Sequence, residues 1–191
     1  MDLQHTMRCL LRGLPHLIVG GVPSERAGDE RLAATRLGAR PEGQLTLGSS
    51  AFLDGGPIPA LYTADGEGAP PPLRFGGAPA GTASLALIVE DPDAPTPNPF
   101  VHWLLYGIPP GARTPEEALA SGAHQGRNSM LRAAWAGCAP PRGDTPHRYH
   151  FQLFALDRAG RLEPSAGRTA LLEQLRGHVL ASVRLIGTYA R

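Results

Sequence analysis

Val89-Glu90-Asp91-Pro92-Asp93-Ala94-Pro95-Thr96-Pro97-Asn98-Pro99-Phe100-Val101-His102-Trp103 joins the end of one hydrophobic run to the start of another through an acidic, proline-stiffened loop. Leu85 to Val89 is unbroken apolar sequence and Val101 to Ile108 nearly so, the texture of strands buried on both faces. Prolines at 92, 95, 97 and 99 fix their own φ, remove backbone donors and push the residues before them toward extended conformations, so the connection is not helical. Stiff loops on a β scaffold often carry binding or catalytic groups, which singles out Asp91, Asp93 and His102.

Outside this stretch the same β texture recurs. Short runs at Leu45 to Leu47, Tyr62-Thr63, His147 to Ala155 and Val183 to Tyr189 are separated by Gly and Pro turns, which predicts a mainly β, antiparallel sandwich rather than alternating β and α units. Two helices interrupt it. One runs from Thr114 through Ala120, with Glu116 and Glu117 near its positive end, and the other covers Thr169 to Leu180, with Leu171, Leu172, Leu175 and Val179 at helical spacing. Gly122 to Gly143 reads as a long irregular segment, a length usually associated with function or disorder.

Residues 44–191 carry this pattern, and residues 1–43 form an N-terminal extension, partly ordered, with short helical pieces at Leu10 to Val19 and Ala27 to Leu37. Met7 is a candidate alternative start. The chain's 191 residues, 42% of them apolar, suit one domain plus a tail. Lys and Arg total 18 against 17 Asp and Glu, so no net field favours nucleic acid or an anionic membrane. The apolar run from Leu10 to Val22 contains Arg12, Pro15 and His16, which is too interrupted for a membrane span or a signal peptide, and a cytoplasmic protein is expected. Cys9 and Cys138 are then expected as free thiols.

The period of a strand places His147, Tyr149, Phe151 and Leu153 on one face and Arg148, His150, Gln152 and Phe154 on the other. His147 and Tyr149 are about 6.6 Å apart at ~3.3 Å per residue, a separation that lets two donors flank one phosphate-sized anion. His102 is a candidate third donor, with Asp91 accepting the proton of its other ring nitrogen. Alternatives remain: Asp91 or Asp93 as turn caps, Asp91, Asp93, His102 and His147 as a metal set of unusual spacing, Cys138 as a nucleophile, and Asp–His general-base hydrolysis. His5, His16, His124, His150 and His178 are read as surface or packing residues.

Asp91-Pro92-Asp93-Ala94-Pro95, His102-Trp103, Gly126-x-Asn128, Pro140-Pro141-x-Gly143 and His147-Arg148-Tyr149, in that order, resemble the phosphatidylethanolamine-binding protein family, in particular its bacterial, Raf-kinase-inhibitor-like branch. Leu47-x-Ser49-x-Ala51-Phe52, Tyr62-Thr63-x-Asp65-Gly66 and the ending Gly187-Thr188-Tyr189 look like that branch as well. The resemblance implies a Greek-key antiparallel β fold and a non-enzymatic protein, without cofactor or metal, that binds phosphate or a phosphorylated head group. It also implies a kinase or protease as client, with a protein-interaction module as the alternative reading, and a homodimer. Carried across by position, it gives Asp91, His102, His147 and Tyr149 as the pocket, with Pro92, Asp93, Trp103, Cys138 and Pro141 at its rim. Trp135-Ala136-Gly137-Cys138-Ala139 departs from the branch's pattern, in which a proline commonly stands at the Cys138 position.

Overall fold

The computed structural model describes residues 26–39, 43–160 and 162–191. The readings made for Met7, Cys9, His5, His16 and Leu10 to Val19 lie outside them. The elements run α1 (Ala33–Leu37), β1 (Thr46–Ser49), β2 (Gly56–Pro57), β3 (Leu73–Gly76), β4 (Ser84–Asp91), β5 (Phe100–Ile108), α2 (Pro115–Ala120), β6 (His124–Gln125), β7 (His147–Leu156), α3 (Arg168–Leu175) and β8 (Val179–Tyr189). Six strands form one sheet in the order β2-β8-β7-β4-β5-β6, and β1 pairs with β3 as a second, two-stranded layer. All pairings are antiparallel except β2 with β8. The expected mainly β architecture is what the chain adopts, as a lopsided sandwich.

The central strands bury both faces, as their unbroken apolar runs require. Every residue of β4 is buried. Leu85, Leu87 and Val89 join Trp103, Leu105, Tyr149, Phe151 and Leu153 in a core closed by β1 and β3. Ala86 and Ile88 face the other way, against Leu104, Phe154 and the α3 stripe Leu171, Leu172 and Leu175. The first core carries the candidate pocket residues at one end. The second is where the N-terminal segment docks: Ala27, Leu32 and Ala33 are buried, and Ala33 N and Ala34 N donate to Glu90 Oε2 and Gln152 Oε1, both at 2.8 Å.

Three sequence expectations shift at their edges. Tyr62-Thr63, read as a β-type run, is the end of a 3-10 turn over Ala60–Tyr62, and Thr63 makes only a single bridge to Cys138. Gly66 folds back tightly there, since a Cβ on it would lie 2.3 Å from the Ala60 carbonyl oxygen. The C-terminal helix stops at Leu175, and Val179 belongs to β8, because Gly177 turns the chain at φ 77°. Thr114 is the N-cap of α2, its Oγ1 accepting from Glu117 N at 3.3 Å, with Pro115 at the first helical position.

Candidate functional site

A register irregularity shapes one wall of the site. Val89 pairs with Trp103 and Glu90 with Val101, which leaves His102 as an extra residue on β5. The bulge turns consecutive residues His102 and Trp103 toward the same core. His102 packs edge-on against Tyr149, ring centroids 5.0 Å apart, and against Trp135 at 5.7 Å. Its Nδ1 donates to the Ala136 carbonyl at 2.6 Å, while Ala136 N donates back to the His102 carbonyl at 2.9 Å. The loop carrying Ala136 is pinned by buried Asn128, whose Oδ1 accepts from Met130 N and Arg132 N and whose Nδ2 donates to Ala134 O.

Asp91 sits at the other wall, where β4 ends. Its Oδ1 accepts from Asp93 N at 2.8 Å and Ala94 N at 3.0 Å, so the proline loop is folded around this carboxylate. Its Oδ2 accepts from His147 Nδ1 at 2.8 Å. This corrects the expected pairing: Asp91 orients His147, and the Ala136 carbonyl orients His102. The bulge that turns His102 toward the loop could not be read from residue order.

The two imidazoles are electrostatically opposite. Burial pushes the His102 pKa down against the opposing pull of the Ala136 carbonyl and Asp91. In the resulting neutral ring, the Nδ1 proton is committed to Ala136, so Nε2 is an acceptor rather than the expected donor. His147 is buried too, which alone would lower its pKa, but Asp91 and Asp144 outweigh burial and raise it. Both its nitrogens face carboxylates, Nδ1 toward Asp91 and Nε2 toward Asp144 Oδ2 at 3.2 Å, and carboxylates only accept. The ring satisfies both as an imidazolium.

Tyr149 packs against His102 with a fully buried side chain, and its hydroxyl has no nitrogen or oxygen partner among the described residues, its polar neighbour being the Cys138 thiol, a weak acceptor. Burial, Cys138 and Asp91 hold its pKa far above the ordinary tyrosine value, so it remains a donor. Cys138 is a free, fully buried thiol whose pKa is raised well above the ordinary value by burial and by Asp91. It is a thiol, not a thiolate, at neutral pH, which removes the basis of the nucleophile reading.

The remaining sequence candidates spread out. Asp93 leaves the site: its carboxylate accepts from Arg148 N at 2.9 Å, Nε at 2.9 Å and Nη2 at 2.8 Å. Pro92 is buried and its carbonyl receives Gly28 N at 3.1 Å, while Pro141 is exposed. Trp103 donates from Nε1 to Gln125 at 2.8 Å and, with Trp135, lines a separate apolar cavity of about 380 Å³. Among the described residues no three His, Cys, Asp or Glu side chains converge as a metal-ligand set.

Two residues were missed in the sequence. Asp144 covers His147 Nε2, and Arg26 from the N-terminal extension donates to both Asp144 oxygens at 2.8 and 2.7 Å. Asp144 is visible in sequence only as a turn residue before His147. Arg26 lies 118 residues from its partner and belongs to no motif.

A sandwich of this topology with a buried acid–histidine–tyrosine cluster at one end defines a β-class binding-protein fold. The chain belongs to the phosphatidylethanolamine-binding protein family, whose model matches residues 48–190. It is 43% identical over 153 residues to a UPF0098 protein of Methanothermobacter thermautotrophicus, covering 77% of this chain and 99% of that one. A UPF0098 protein of Pyrococcus horikoshii is 36% identical over 189 residues, 95% of each chain, a span that reaches into the extension. The crystal structure of a phosphatidylethanolamine-binding protein homolog from Chlamydia trachomatis superposes with a TM-score of 0.72 at 36% identity, covering 78% of this chain and 99% of that one. Among the described residues no helix is long and apolar enough to cross a membrane.

Proposed function

We propose that this chain is a non-enzymatic binding protein whose site accepts a phosphate or phosphorylated head group. The observation that carries the reading is the buried Tyr149 hydroxyl, a donor with no better acceptor than the Cys138 thiol, on the same strand face as the imidazolium of His147. A buried donor left unpaired costs about 1–3 kcal/mol, and an incoming oxyanion removes that cost. His147 Nε2, on giving up its contact to Asp144, and the Tyr149 hydroxyl donate to the ligand, and His102 Nε2 accepts from a protonated ligand oxygen or a bridging water. Asp91 holds His147 in place without touching the anion.

Catalysis finds no support in these groups. An imidazolium clasped between two carboxylates is not a general base, and neither Cys138 nor Tyr149 is activated. A few charge-assisted hydrogen bonds of roughly 1.5–3 kcal/mol each support weak binding of free phosphate, and tighter binding needs a larger ligand. A cytoplasmic location, with Cys138 reduced, fits this reading.

Titration calorimetry with phosphate and phosphoethanolamine tests it. His147→Ala is expected to abolish measurable binding, and Tyr149→Phe to weaken it about tenfold while leaving stability equal or slightly higher, because the poorly paired hydroxyl is gone. Unchanged affinity in both variants would sink the proposal.

A further inference from the structure

The carboxylate of Asp144 is held the way a bound anion would be. Arg26 Nη2 reaches both of its oxygens at 2.8 and 2.7 Å, Thr145 N donates to Oδ1 at 2.8 Å, and His147 Nε2 approaches Oδ2 at 3.2 Å. Arginine, histidine and a backbone amide are a phosphate-binding donor set, converged here on a group supplied by the chain itself.

The two carboxylates flanking His147 are not equivalent. Asp91 is fixed: its side chain is 5% exposed, and two backbone amides and His147 hold it from within 3.0 Å. Asp144 is 23% exposed, Arg26 is 38% exposed, and the Asp144 contact to His147 is the longer one. Asp144 lies in a turn with exposed neighbours Arg142, Gly143 and Thr145, so its carboxylate can swing into water while Asp91 stays.

Charge shows why Arg26 matters. The His147 imidazolium is cancelled by Asp91, His102 is neutral, and Arg148 is shared between Asp93 and Asp29, so these groups alone present no net positive charge to an anion. Once Asp144 withdraws, the guanidinium of Arg26 is left beside His147 as a positive charge without a carboxylate of its own.

We infer that Arg26 is an anion-binding residue of the site and that Asp144 is its built-in competitor, a carboxylate occupying the phosphate position until ligand displaces it. The inference rests on the anion-site reading above and adds to it a residue outside the matched family region, together with a brake on affinity. A site open only part of the time binds with an apparent affinity reduced by that open fraction, so removing the competitor strengthens binding.

Calorimetry of the full chain with inorganic phosphate, and separately with phosphoethanolamine, tests this on wild type, Arg26→Ala, Arg26→Gln, Asp144→Ala and Asp144→Asn, each first shown to be folded by near-UV circular dichroism. Asp144→Ala is expected to bind about tenfold tighter and Arg26→Ala about tenfold weaker than wild type. Asp144→Asn and Arg26→Gln should shift the same ways by less. These shifts seen with phosphoethanolamine alone support the inference with a head group as the source, and the same shifts with inorganic phosphate support it with free phosphate. If wild type binds but Asp144→Ala is no tighter, or Arg26→Ala no weaker, the pair is only a surface ion pair and this inference falls while the anion site stands. If none of the five proteins binds, both fall.

Discussion

Neighbouring residues on β4 and β7 send similar side chains to opposite faces of one sheet, and the two faces use them differently. Asp91 meets His147 on the face closed by β1 and β3, while Glu90 and His150 point toward the helices. The Glu90 network is closed. Its Oε2 accepts from Ala33 N and Gln152 Nε2, both at 2.8 Å, and its Oε1 pairs with Arg168, which also reaches the Arg31 carbonyl. Ala33 and Arg168 directly, and Ala34 through Gln152, tie the N-terminal segment and α3 to the sheet. The Asp91 network is open at one end, with a poorly paired Tyr149 hydroxyl and a partly exposed Asp144 as its outermost member. A fully satisfied buried network rigidifies what it joins, whereas the Asp91 network leaves a buried hydroxyl poorly paired.

The histidines carry the contrast into pH. His147 has a raised pKa, so the stability it contributes is fully present below about 6.5 and is lost as pH rises through its folded value. His150 is buried with neither ring nitrogen partnered among the described residues, and burial pushes its pKa down to about 4. It is stable as the neutral ring and costs stability as pH falls from about 6.5 toward 4. Two histidines on one strand, facing opposite sides of the sheet, thus act on stability in opposite senses.

The strongest way to break the comparison is at Glu90. Glu90→Ala leaves Arg168 without its carboxylate and two buried amide donors unpaired, so a loss of about 3–5 kcal/mol is expected in urea denaturation. A loss within experimental error would mean the closed network fastens nothing. A smaller effect is expected at His150. His150→Leu should flatten the decline in stability between about pH 6.5 and 4 by up to about 3 kcal/mol, because each pH unit between the unfolded and folded pKa values corresponds to about 1.4 kcal/mol. Parallel pH profiles for the variant and wild type would show that His150 does not set the acid limb.

The sequence made the closed parts of the fold more legible than the site's wiring. Unbroken apolar runs placed β4 and β5, and strand period placed β7 with His147 and Tyr149 on one face, because those signals are local. The partner of Asp91 was not local: it depended on the His102 bulge, which aims that ring at the Ala136 carbonyl and leaves Asp91 to His147. Glu90 carries no local signal of its role because its partners come from β7, α3 and the N-terminal segment, and Arg26 reaches Asp144 across 118 residues by tertiary packing alone. Asp93, alike to Asp91 in sequence, was sent away from the site by a single step along the loop toward Arg148.

The central claim is that a charged His147 is the anion's principal partner, and an NMR pH titration of its ring, with and without phosphate, tests it most directly. A His147 pKa above the ordinary value of about 6.5 is expected in the free protein and should stay above it when phosphate takes the place of Asp144, with the ring resonances shifted by phosphate, while His102 stays neutral at pH of about 6.5 and above. A His147 that titrates at or below its ordinary value, or whose ring resonances phosphate leaves unshifted, would contradict it.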